Sequence, residues 1–145
     1  MNEEFIQTEP CRYGKMSFFK NDNTVSRSLC EYGEWAQAEI DFLNCLIDEG
    51  CTVLDVGAFI GTHAIAFARR VGAHGCVYAF EPQPAFFELL KRNVEQNSLT
   101  NVRLFNVAVS AVTGRFGIPD ADVSEADNFG GTGLLELCSS TCDLG

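Results

Sequence analysis

Val53-Leu-Asp-Val-Gly-Ala-Phe-Ile-Gly61, followed by Val77-Tyr-Ala-Phe-Glu-Pro82, decides the fold. An apolar strand ends in an acid, a glycine turn opens a helix, and a second apolar strand ends in a glutamate. That order is half of a nucleoside-binding α/β site. Ligands in such folds sit outside the carboxyl ends of parallel strands, and the acid on the second strand takes the ribose hydroxyls.

Working outward, the pattern predicts strands over 52–56, 76–80 and 102–109, with helices over 61–71 and 84–96 between them. Gly72 closes the first helix, and Pro84 sits at the first turn of the second. This βαβαβ order predicts parallel strands arranged 3-2-1. Upstream, residues 12–30 read as a hairpin: 15–19 and 24–29 as strands, Asn21-Asp-Asn23 as the turn. A helix is expected over 34–48, with Trp35, Ala38, Phe42, Cys45 and Leu46 as its apolar stripe and Gly50 at its end. Beyond Ser110, residues 114–118 and 132–137 could be short strands on either side of an acidic loop. Residues 1–50 thus form a hairpin and helix on the sheet, and residues 51–145 the nucleoside-binding part, in one structural domain. A half-sheet that stops after its third strand leaves an apolar edge, which a second copy of the chain could cover.

Composition narrows the partners. With 145 residues and 46% hydrophobic content, the chain reads as one globular domain. Its net charge is −10, and no Lys or Arg follows Arg115, which argues against nucleic acid. The N-terminus lacks the charged flank and apolar run of a secretory signal, and no stretch approaches a membrane span. Seven cysteines are scattered along the chain; Cys45, Cys51 and Cys76 fall in or beside expected core elements, and Cys138/Cys142 is a weak metal signal. The cysteines read as reduced thiols and the chain as cytoplasmic.

Asp55, Gly57 and Gly61 make an Asp-x-Gly-x3-Gly turn, whose glycines let the backbone bend sharply and approach a ligand. A nicotinamide-type site needs Gly-x-Gly-x-x-Gly, and Phe59 stands where the second glycine would clear room for pyrophosphate. S-adenosylmethionine carries no phosphate. It requires room for its methionine tail, acids near the sulfonium and a carboxylate for the ribose; Gly57 meets the first need, Asp55 and Glu81 the others. Asp-x-Gly also occurs in ordinary βα turns, and it is Glu81 that tips the balance toward nucleoside binding.

These motifs resemble the FkbM-type S-adenosylmethionine-dependent methyltransferases. The likeness rests on Tyr32-Gly-Glu-Trp35, on Leu54-Asp-Val-Gly-Ala-Phe-Ile-Gly61, on Tyr78-Ala-Phe-Glu-Pro-Gln-Pro84 and on Asn128-Phe-Gly-Gly131. It implies a Rossmann-like sheet and O-methylation of a hydroxyl on a sugar or small metabolite. It further implies that Gly57, Ala58 and Gly61 line the methionine end of the cofactor. Glu81 would hold the ribose, Pro82 and Gln83 would lie beside the adenine, and Asn106 to Ala108 would approach the adenine edge. Glu34 would approach the pocket from the N-terminal helix. Two departures stand out: Phe59 replaces the family's asparagine, and the acidic fourth-strand motif has no counterpart.

Methyl transfer to a hydroxyl usually needs a positioned base. His63, after Gly61, is better read as a helix-start residue, and His74 as a loop residue at the far end of the sheet. Asp120, Asp122, Glu125 and Asp127 read as solvated surface, not a metal cluster. Phe18-Phe19, Phe86-Phe87 and Trp35 read as core packing. The leading expectation is a methyltransferase; the others are a non-catalytic cofactor-binding module that needs a partner, and a dinucleotide-binding domain.

Overall fold

The computed structural model describes residues 3–111 and 123–131. The expected short strands at 114–118 and 132–137, with Asp120, Asp122, Cys138 and Cys142, lie outside the described residues. The chain folds as a Rossmann-like α/β half-sheet preceded by a hairpin and two short helices. β1 (Ile6–Cys11) and β2 (Gly14–Phe19) form the antiparallel hairpin, followed by α1 (Val25–Tyr32) and α2 (Gln37–Asn44). Then come β3 (Thr52–Val56), α3 (Thr62–Val71), β4 (Cys76–Phe80), α4 (Pro84–Gln96) and β5 (Val102–Phe105). The sheet runs β3-β4-β5, parallel throughout, with Asp55 opposite Ala79 and Phe80 opposite Phe105.

Alternation along the strands sends one set of side chains under the helices and leaves the other outside. Val77, Ala79 and Val102 are buried against Ala68, Val71 and Leu90 of α3 and α4. On the opposite face Leu54 is 67% exposed and Val56 58%. Tyr78 and Phe80 stack there on Phe105 at 6.0 and 4.9 Å. Parallel sheets normally bury both faces; among the described residues this one is covered on one side only.

The N-terminal region corrects the expected hairpin. The turn sits at Arg12-Tyr13, between Cys11 and Gly14, and the stretch from Val25 is helical. Asn21-Asp-Asn23 is a turn, but it starts a helix. The buried Asp22 carboxylate accepts the Thr24 and Ser26 amides at 3.1 and 2.9 Å and the Ser26 hydroxyl at 2.9 Å. Those bonds occupy amides that a helix start leaves orphaned. Once helical, Val25 and Leu29 fall on one buried face.

The second helix is shorter than the expected 34–48. Ala36, at φ 49°, breaks the chain before it, so Trp35 stands outside the helix. Its buried side is Ile40, with Leu43 and Ile47 packed on the sheet cluster; Phe42 (65%) and Leu46 (68%) are exposed, as is Cys45. Spacing alone could not choose between two stripes offset by a few residues. β5 ends at Phe105, short of the expected 109, because the Asn106 amide turns to the carbonyls of Glu81 and Pro82.

Asn93, fully buried on α4, ties these parts together. Its carbonyl accepts the Ser17 amide at 2.7 Å; its NH2 donates to Ser17 O at 2.9 Å and Ile60 O at 2.8 Å. One side chain thus joins the hairpin, α4 and the turn after β3. Asn93→Ala is expected to lower unfolding free energy by roughly 2–4 kcal/mol, since several buried polar groups lose their partner. Urea denaturation checks this; a change below about 1 kcal/mol would refute the hub assignment.

Candidate functional site

β3 ends at Val56, and Gly57 at φ 83° turns the chain over the end of β4. The Gly57 and Ala58 amides both donate to Phe80 O, at 2.9 and 3.0 Å. A Cβ on Gly57 would meet no atom within 4 Å, so this glycine borders open space. Gly61 differs: a Cβ there would lie 2.6 Å from Leu90 Cδ1, so glycine lets α3 start close against α4. Between them Phe59 takes φ 51°, an unusual conformation for a bulky residue.

Phe59 holds that conformation with its amide committed to Glu81. The Glu81 carboxylate, only 5% exposed, accepts the Phe59 amide at 2.9 Å through Oε2 and the Gln83 amide at 2.8 Å through Oε1. Each oxygen keeps a further lone pair. Burial pushes the Glu81 carboxyl above its usual range; the two amides pull it back, and Asp55 pushes it up again. Asp55 lies on the helix-covered side of β3. Burial raises its carboxyl too, against the opposing pull of His63 and the Ala64 amide, and its Oδ2 is buried without a hydrogen-bond partner.

Two cavities open on either side of Phe59. The first, about 200 Å³, is lined by Gly57, Glu81, Pro82, Gln83 and Ala108 among others. The second, about 310 Å³, is lined by Ala58, Thr62, His63, Trp35 and Asn128 among others. Gly57, Phe59 and Gly130 belong to both.

Most of the residues singled out from the sequence therefore converge. Gly57, Phe59, Glu81, Pro82, Gln83 and Ala108 share the first cavity, and Ala58 joins the second. Asn106 stands behind the first, bracing the Glu81–Pro82 backbone. Glu34 lies apart: it pairs with Arg12 at 2.8 Å and borders a small separate cavity. His63 lines the second cavity, its Nε2 4.0 Å from Glu39; His74 is exposed.

The sequence singled out Asn128-Phe-Gly-Gly131 for the family likeness but gave it no place in the pocket, of which it forms the second wall. Phe129 and Gly130 come from a segment far along the chain, in what read as a solvated acidic loop. The Asp127 backbone pairs with Asn21 and Asn23, and Phe129 is buried 5.9 Å from the Phe19 ring and 6.1 Å from the Phe86 ring. The one available signal was Phe-Gly-Gly, an apolar residue beside two glycines, within an acidic stretch. Phe86 packs in the core as expected and also walls the first cavity; Trp35 packs on the core and borders the second.

A model of the protein-L-isoaspartate (D-aspartate) O-methyltransferase family matches residues 13–125. The chain belongs to that family. The family is one of S-adenosylmethionine-dependent methyltransferases. The isoaspartate O-methyltransferase of Methanothrix thermoacetophila is 41% identical over 56 residues, 39% of this chain and 27% of that protein. A cobalt-precorrin-6B C(15)-methyltransferase of Sulfolobus acidocaldarius is 34% identical over 87 residues, 60% of this chain and 43% of that protein. The chain thus spans less than half the length of these curated relatives. Trm5b of Pyrococcus abyssi shares the fold at TM-score 0.54 and 18% identity, over 71% of this chain and 29% of its own.

This membership corrects the FkbM resemblance, because the isoaspartate family is the one matched across most of the described chain. The glycine turn and strand-ending glutamate that suggested FkbM are features read for a nucleoside, and such features do not distinguish one acceptor chemistry from another. The hydroxyl-bearing sugar expected from that resemblance loses its support with it. Among the described residues no helix is long and apolar enough to cross a membrane, and no group of three or more His, Cys, Asp or Glu could hold a metal.

The buried carboxylates make a pH prediction. A carboxyl whose pKa rises on folding binds more protons folded than unfolded, so its contribution to stability falls as pH climbs from the ordinary carboxylate range through the raised value. Asp55→Asn removes one such group without removing its shape. Its melting temperature should match or exceed the parent's at about pH 7.5, the advantage shrinking toward about pH 5. A variant that melts lower at the higher pH would contradict the uncompensated burial of Asp55.

Proposed function

We propose that this chain binds S-adenosylmethionine across the end of the sheet, as the cofactor-binding part of an O-methyltransferase whose acceptor is a carboxylate on a protein or small molecule. The observation that carries the reading is the Glu81 carboxylate, buried at the strand end yet facing a cavity, with Gly57 bordering open space beside it. Asp55 lines neither cavity, but its Oδ2 is buried without a partner on the strand that leads into the Gly57 turn, where a cationic ligand would lower the cost of its charge.

S-adenosylmethionine, when bound, supplies a methyl group made electrophilic by its sulfonium. Toward it, Glu81 would accept the ribose hydroxyls on the lone pairs its two amide bonds leave free. Gln83, Pro82 and Ala108 would border the adenine. Gly57 and Ala58, with Gly61 behind, would border the sulfur end of the ligand, and Asp55 would oppose the positive charge. A carboxylate acceptor is already an anionic nucleophile, so alignment rather than proton removal is what the site must provide. Among the described residues the imidazole lining the second cavity is His63, whose Nε2 is buried, 4.0 Å from Glu39 and without a hydrogen-bond partner. The net charge of −10, with no basic stripe, disfavours a polyanionic nucleic acid as the acceptor.

Isothermal titration with S-adenosylhomocysteine tests the binding. Glu81→Ala is expected to weaken it by roughly 1.5–3 kcal/mol, the worth of a charged acceptor. Equal affinity in both proteins would remove Glu81 from the ribose site, and preference for NAD would remove the reading altogether.

A second reading is favoured by the open apolar face: cofactor binding without turnover until a partner covers the sheet. The partner we infer is a second copy. Pairing β3 antiparallel with its symmetry mate would set Leu54 opposite Leu54 and Thr52 opposite Val56, with no charge on that face of the strand. Sedimentation should then give a dimer that Leu54→Lys dissociates. A monomeric parent chain would refute it.

A further inference from the structure

The two cavities are separated by a narrow gap, about one methyl group wide, whose two sides are both fixed. On one side is the Phe59 ring, packed edge-on against Phe86 with centroids 4.7 Å apart. Its backbone is held at φ 51° by the amide bond to Glu81. On the other side is Gly130. A methyl group added there would already touch the Phe59 ring at 3.8 Å and Val25 Cγ2 at 3.3 Å. Gly130 cannot easily withdraw. Its neighbour Phe129 is buried in the aromatic cluster, and the Asp127 backbone is hydrogen-bonded to Asn21 and Asn23.

The groove is therefore pinched where a ligand lying across both cavities would pass, leaving the strip over Gly57. Glu81 and Gln83 face one compartment; Thr62 and His63 face the other. An adenosyl group needs only the first. A chain extending from its 5′-sulfur needs the passage.

We propose that Phe59 is a specificity-determining residue that closes the groove beyond the 5′-sulfur, so that the site accepts 5′-thionucleosides with short substituents about as well as those carrying the full amino-acid tail. This rests on the adenosyl-binding reading and adds to it a limit on ligand length. The aromatic ring sets the limit, not the glycine turn, so the limit can be removed without disturbing the ribose carboxylate. Glycine and asparagine both tolerate the positive φ at position 59, and both keep the amide that Glu81 accepts.

The test is isothermal titration of the whole chain with S-adenosylhomocysteine and with 5′-methylthioadenosine, which shares the nucleoside and sulfur but lacks the tail. The parent chain should bind the two within about threefold of each other, and Phe59→Gly and Phe59→Asn should favour S-adenosylhomocysteine by about tenfold or more. Circular dichroism identifies a variant that has lost its fold, and the ratio is then read from the other. A parent chain that already favours S-adenosylhomocysteine about tenfold, with the ratio unmoved by either variant, would overturn the role of Phe59 while leaving adenosyl binding intact. Binding of neither ligand by any of the proteins would overturn the adenosyl reading and this inference with it.

Discussion

The site depends on one buried carboxylate. Placing Glu81 at 5% exposure costs desolvation, and the structure offsets that cost with two backbone amides supplied by different loops. One comes from the turn after β3, the other from the start of α4. To donate, the first must turn Phe59 into a left-handed conformation; the second needs the chain to round Pro82 before the helix begins. The Asn106 amide then secures the carbonyls of the same loop from β5. Three strand ends are thereby fixed around a single anionic group. Its amides do not fully repay its burial, which is why its carboxyl titrates above the usual range. A ligand hydroxyl would supply the missing bonds.

The hairpin and first helix serve the same site from outside the sheet. Asp22 starts α1, and Asn21 to Asn23 receive the backbone of the distant Asp127 segment. Phe129 follows that segment into the aromatic cluster of Phe19 and Phe86, and Gly130 arrives against Phe59. Asn93 joins the hairpin to the turn after β3 through the Ser17 and Ile60 backbones. The N-terminal elements therefore set the width of the groove, although they contribute few of its lining residues.

The helix-covered face of the sheet is packed, and the other face is not. Among the described residues Leu54, Val56 and Phe105 leave an apolar surface, and the outer edge of β3 has no paired strand. A strand edge without a partner and with an uncharged outer face is a pairing template, and natural proteins seldom leave one bare. The first cavity shares Val56 and Phe80 with this surface, so it opens at the edge of the uncovered face.

The central βαβαβ run was legible because several local signals agree there. Apolar strands, glycine turns and Pro84 at a helix start all act over a few residues, and β3, β4 and α4 begin and end where those signals put them. Asn21-Asp-Asn23 was legible as a turn but not as a helix start, because the deciding bonds come from how deeply Asp22 is buried. The stripe on α2 was ambiguous by spacing, and the sheet chose Ile40 and Leu43 over Phe42 and Leu46. The family was misread for a related reason: residues that serve an adenosyl group carry little information about the acceptor. The sequence by itself determined the order and direction of the parallel strands and the placing of Glu81 beside the glycine turn, since both follow from short-range geometry. Only the tertiary structure decided that Phe129 and Gly130 complete the pocket and that Phe59 divides it, because those contacts join segments some seventy residues apart through packing that no local pattern encodes.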